Sequence, residues 1–139
     1  MKRDDKREGD RQALEGYGEE IEQIDEQILS LLSRRQELAA TIGELKRILG
    51  IDVFNPAREE ELLRRVASRQ QKKLAPQAIR HIFSEIISAA RSIQHPLTVA
   101  FLGPEATFSH QAAISLFGRS ASFLSAERIE KVFDLVEKG

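Results

Sequence analysis

Five polar residues, Arg35, Lys46, Arg58, Glu59 and Gln94, border apolar stripes where a hydrophobic side chain is the ordinary choice. Arg35 is the plainest case. Ile21, Ile24, Ile28, Leu31, Leu38, Ile42, Leu45 and Leu49 recur at alternating three- and four-residue steps, and Arg35 takes an a position in that helix seam. A cation there costs on the order of several kcal/mol of desolvation unless something opposite pairs with it. Lys46 follows eleven residues later, and eleven steps of 100° return to within about 20° of the same direction. Arg58 and Glu59 stand one turn before Leu62 and Leu63, and Gln94 one turn after Ala90. One cavity is expected to hold all five. Cations with one carboxylate and one amide suit recognition of a polyanion. Hydrolytic or redox chemistry would need other groups, and the chain has no cysteine, while His81, His95 and His110 share no metal-ligand spacing. No metal or cofactor is expected.

Taken singly, each residue has a structural explanation. Arg35 would set the register of a helix pair, Lys46 would lay its stem on apolar surface with its ammonium in water, and Arg58 and Glu59 would form a solvated first-turn pair. Gln94 would be a polar residue near a helix end. The conjunction is what favours a site.

The elements that must carry these residues are helices. A first helix is predicted from about Glu19 to Leu49, roughly 45 Å at 1.5 Å per residue, stopped by Gly50. Pro56 opens a second and Pro76 a third, whose stripe is Ile79, Ile82, Phe83, Ile86, Ile87, Ala90 and Ile93, ending at His95 before Pro96. Residues 1–18, dense in charge and poor in apolar side chains, read as a disordered start. A 30-residue seam cannot be covered by two short helices, so a homodimer with paired first helices is expected. After Pro96 the pattern changes to "LTVAFLG", a Gly-Pro loop, "SHQAAISLFG", "ASFL" and "AERIEKVFDLVEKG". This is a β-α-β-α unit of a larger α/β domain, so residues 97–139 read as a fragment. The fold class expected is all-α over 19–95 followed by that partial α/β unit.

The 139 residues carry 21 basic and 22 acidic side chains, interspersed, for a net charge of -1. No basic face points to nucleic acid or an anionic membrane. No apolar run would span a bilayer or serve as a signal peptide, which leaves the cytoplasm as the expected compartment.

The segments "IDEQILSLLSRRQELAATIGELK", "NPAREEELL" and "EIISAARSIQ" resemble the all-helical chorismate mutase family. The segment "VAFLGPEATFSHQAA" is similar to the start of prephenate dehydratase. The mutase resemblance covers about residues 20–95 and the dehydratase resemblance 97–139. It implies a three-helix fold forming an intertwined dimer, chorismate as substrate, and a Claisen rearrangement to prephenate without a cofactor. Carried over by position, Arg35 would bind a substrate carboxylate and Lys46 would bridge a carboxylate and the ether oxygen. Gln94 would donate to that oxygen, Glu59 would hold the ring hydroxyl, and Arg58 would add positive field. Asn55 stands where the family often has aspartate, and Ala90 where some members have serine. Gly18 stands where an arginine commonly reaches into the partner's site. The Gly103 to Ser109 loop, with Thr107, resembles the dehydratase substrate loop, but the segment is expected to be inactive by itself. Two other readings stay open: isochorismate-pyruvate lyase, which uses the same helical fold, and a non-catalytic helical dimerisation module.

Overall fold

A computed structural model describes residues 2–69 and 71–139, with side chains from Lys6 onward. Seven elements follow in order: α1 (Lys2–Leu49), α2 (Pro56–Ala67), α3 (Pro76–Gln94), β1 (Thr98–Leu102), α4 (Phe108–Phe117), β2 (Ser122–Ala126) and α5 (Ile129–Lys138). Three helices thus precede a β-α-β-α unit, as the sequence pattern predicts. No helix among the described residues is long and apolar enough to cross a membrane.

The N-terminal segment departs from expectation. Instead of a disordered stretch over 1–18, α1 is helical from Lys2. Opposite charges four residues apart, Lys6 with Asp10 and Arg11 with Glu15, favour a helix there, and no proline interrupts before Pro56. The helix ends where Gly50, at φ 66°, turns left-handed: its N–H reaches the Arg47 carbonyl at 3.3 Å, and the Ile51 N–H reaches that of Lys46 at 2.9 Å. This pair of bonds satisfies the last carbonyls of α1 and stops it.

The chain divides after Glu37 into two compact units. The first is helix alone, with Leu14, Tyr17, Ile21, Ile24, Ile28 and Leu31 exposed. The second runs from Leu38 to Gly139. Its core holds Ala39, Ile79, Ile87 and Ala90 among the helices and Phe101 and Ala126 in the strands. Asn55 caps α2, its Oδ1 accepting from the Arg58 N–H at 3.1 Å, and Pro56 and Pro76 take first-turn positions. Arg80 on α3 donates to Glu60 on α2 at 2.5 Å. β1 and β2 pair in parallel, Thr98 opposite Ser122 through Leu102 opposite Ala126, with α4 as the crossover. The His110 ring of α4 stacks on Phe101, centroids 4.6 Å apart.

The α3 stripe holds in part, with Ile79, Ile87 and Ala90 buried and Phe83 and Ile86 half-buried. Ile82 and Ile93 are exposed, whereas Ser88 and Arg91 are buried. The cause is the turn after α4, which covers this flank. Ser88 Oγ donates to the Phe117 carbonyl at 2.8 Å, Ser92 Oγ to that of Ser120 at 2.8 Å, and the Arg119 N–H donates to Glu85 at 3.2 Å. Gly118, at φ 75°, makes the approach: a Cβ there would collide with Ser88.

Candidate active site

A glycine lets Gln94 of α3 come close to α1. Gly43 on α1 is buried, and a Cβ there would lie 2.8 Å from Gln94 Cγ and 3.1 Å from Gln94 Cα. Only a residue without a side chain lets α3 pass this closely. Lys46 is three residues on, along the same face of α1. It is half-buried, and its ammonium donates to the Val53 carbonyl at 3.2 Å, tying the helix end to the following connector.

The other candidates are distributed. Asn55 serves as the cap of α2 and Arg58 is exposed. Arg35 is half-buried in the first unit. Glu59 is half-buried in the first turn of α2, where a helix N-terminus favours a carboxylate. Its partner is Arg91: Nε donates to Glu59 Oε1 at 3.0 Å, and Nη2 donates to Oε2. The third edge of the guanidinium donates from Nη1 to the Phe117 carbonyl at 3.0 Å, and its face lies 4.7 Å from the Phe54 ring centroid.

A cavity of about 660 Å³ opens beside this pair, bounded by α2, α3 and α4 and lined by Phe54, Glu59, Arg80, His81, Arg91 and Arg119 among others. Of the five residues expected to share one cavity, Glu59 alone lines this one. Four of the cavity's charges are paired, Glu59 with Arg91 and Glu60 with Arg80. Arg80 holds the Glu60 carboxyl below the ordinary carboxylate range, first by its hydrogen bond and then by its charge. On the exposed side of α1, Arg47 lowers Glu44 in the same way.

Arg91 and Ser88 escape the sequence reading. Arg91 does border the α3 stripe, four residues after Ile87, so the criterion that singles out Gln94 would also have found it. Nothing in the periodicity marks its second partner, a backbone carbonyl on another element.

The description "chorismate mutase type II" matches residues 17–95, more than half of the chain and all of α2 and α3. The chain belongs to this family. Prephenate dehydratase matches residues 99–139, so the chorismate mutase segment is followed by the start of a second family's domain. The bifunctional chorismate mutase/prephenate dehydratase of Aquifex aeolicus is 41% identical over 128 residues, covering 89% of this chain and 35% of that protein. The protein of that name from Neisseria gonorrhoeae is 38% identical over 117 residues, covering 84% and 32%. That of Pseudomonas aeruginosa is 30% identical over 135 residues, covering 94% and 37%. The chain spans about a third of the length of these relatives. No solved structure matches it significantly.

Proposed function

We propose that this chain is a chorismate mutase, an isomerase converting chorismate to prephenate by an intramolecular Claisen rearrangement. The observation that carries the reading is the type II mutase match over 17–95. The rearrangement is pericyclic and needs no acid, base, nucleophile or cofactor, so a pocket of cations and hydrogen-bond donors is sufficient chemistry. Arg35 binds a substrate carboxylate, Lys46 bridges a carboxylate and the ether oxygen, Gln94 donates to that oxygen, and Glu59 accepts the ring hydroxyl. Arg58 adds positive field, and Asn55 contributes from the substrate's rim in addition to its capping role. The close pass of Gln94 over Gly43, next to Lys46, supports pairing these two donors.

Two effects produce the rate. The pocket selects the compact diaxial conformer in which the bond-forming carbons approach. Lys46 and Gln94 then stabilise negative charge that grows on the ether oxygen as its bond breaks. A carboxylate is charged before and after the step, whereas the ether oxygen is charged only in passage, so Lys46 contributes more to turnover than Arg35.

The working species is a homodimer in which α1 pairs with its counterpart, in the cytoplasm where a soluble dicarboxylate would be met. Gly18, in place of a cross-subunit arginine, leaves this site one cation short. Residues 97–139 do not by themselves convert prephenate to phenylpyruvate. The test is incubation of the purified protein with chorismate and, separately, isochorismate. Prephenate from the first is expected; salicylate from the second would favour a lyase instead, and turnover of neither would leave a dimerisation module.

A further inference from the structure

Arg91 is 6% exposed, an unusual burial for an arginine, and three edges of its guanidinium are committed. Nε and Nη2 grip the two oxygens of Glu59, and Nη1 donates to the Phe117 carbonyl at 3.0 Å. Phe54 packs against its flat face. A planar fork held on three sides and backed by a ring has one orientation, which a lysine ammonium cannot reproduce. Glu59 inherits that orientation. The two guanidinium bonds use one lone pair on each carboxylate oxygen and leave another on each to accept a hydroxyl.

The Phe117 carbonyl lies at the end of α4, within the segment that matches prephenate dehydratase. Its position is fixed by a second donor, Ser88 Oγ at 2.8 Å, which itself accepts from the Ser120 N–H at 3.3 Å. The chain from α4 to Glu59 is therefore continuous: turn, guanidinium, carboxylate.

Resting on the reading of Glu59 as the acceptor of the substrate's ring hydroxyl, we propose that Arg91 is a positioning residue of the mutase site. It orients Glu59 before substrate arrives, and docking of the dehydratase-like turn at the end of α4, Phe117 to Ser120, on α3 holds Arg91 in the orienting position. The binding cost of ordering a rotatable carboxylate is thereby met in the free protein.

The experiment is steady-state kinetics with chorismate on the full 139-residue chain and on Arg91→Lys, Ser88→Ala, Glu59→Gln and the two double variants with Glu59→Gln, each with a thermal melt. The hydroxyl contact exists alike in ground and transition states, so Arg91→Lys is expected to raise KM about tenfold while kcat stays within about threefold. Ser88→Ala, which frees the Phe117 carbonyl from its second donor, raises KM by about threefold on the same argument. In the Glu59→Gln background both substitutions change KM by less than about twofold, because the group through which they act is gone. An unchanged KM in either single variant, or an equal rise in both backgrounds, overturns the proposal, including where the melting temperature falls. Absence of turnover in the unsubstituted chain overturns the mutase reading and this role with it; turnover with additive penalties overturns the role of Arg91 alone.

Discussion

Lys46 and Arg35 are cations on the same helix, yet their removal should have different consequences. Lys46→Ala is expected to lower kcat for chorismate by about 10²- to 10³-fold, the scale of losing one donor to a transient charge. Its melt should shift little, since the bond lost is a single one to Val53. Arg35→Leu should act mainly by raising KM, with a smaller loss of kcat than at Lys46, while stabilising the dimer by about 1 kcal/mol, because a partly desolvated cation gives way to seam packing. Misassembly in place of stabilisation would reduce Arg35 to a register device. Ala106 offers a test independent of catalysis. It sits at φ 64° in the loop after β1, where a Cβ costs about 1–2 kcal/mol and the extra chain entropy of glycine about 0.5–1 kcal/mol. Ala106→Gly should therefore raise stability by up to about 1 kcal/mol in a denaturant titration. Arg35, Lys46, Glu59 and Gln94 stand out in the sequence because each borders an apolar stripe. Arg91 borders one as well, but its role depends on a carbonyl 26 residues away in sequence, which no periodicity marks.

Among the elements, two glycines of α1 look alike in sequence and differ in consequence. At Gly18 an added side chain meets nothing within 4 Å, so Gly18→Ala should gain about 1 kcal/mol of helix propensity. Gly18→Arg should gain as much and also raise turnover, if a cation there reaches the partner's site. Gly43→Ala gains the same propensity but drives a Cβ to 3.1 Å from the α-carbon of Gln94, where the backbone must yield. Overpacking of about 1–3 kcal/mol then exceeds the propensity term, and the melting temperature should fall together with activity. The link between α2 and α3 makes an acid-side prediction. Arg80 depresses the Glu60 pKa, so the pair stabilises the fold above the ordinary carboxylate range and the benefit is lost as pH falls through the depressed value. Glu60→Gln should lower the neutral melt slightly and flatten the acidic limb by the same small amount, because the pair is exposed. Helix and strand order could be read from periodicity, proline and glycine. The extent of α1 could not: glycines and a scarcity of apolar residues before Glu19 mimic disorder, and charge spacing outweighs them.

For the molecule as a whole, the a/d seam is the dominant unspent resource. Ile21, Ile24, Ile28, Leu31, Leu38, Ile42 and Leu45 are each between 46% and 68% exposed in a single chain, far more contiguous apolar surface than a monomer ordinarily leaves in water. Sedimentation at micromolar concentration should give twice the chain mass, and a stable folded monomer would refute the dimer. The seam is visible in the sequence, whereas the docking of the turn at the end of α4 on α3 leaves no periodic trace, because hydroxyls, a guanidinium and backbone carbonyls make it. That docking bears on recombinant engineering. The two family matches meet between residues 95 and 99, an inviting splice junction, but α3 bonds to the turn at Phe117, Arg119 and Ser120 across it. A chimera that grafts a foreign C-terminal half after His95 would inherit the donors of Ser88, Arg91 and Ser92 without their acceptors. Ancestry divides this polypeptide at one place and mechanics at another, and a working graft must carry residues 97–120 along with the helices.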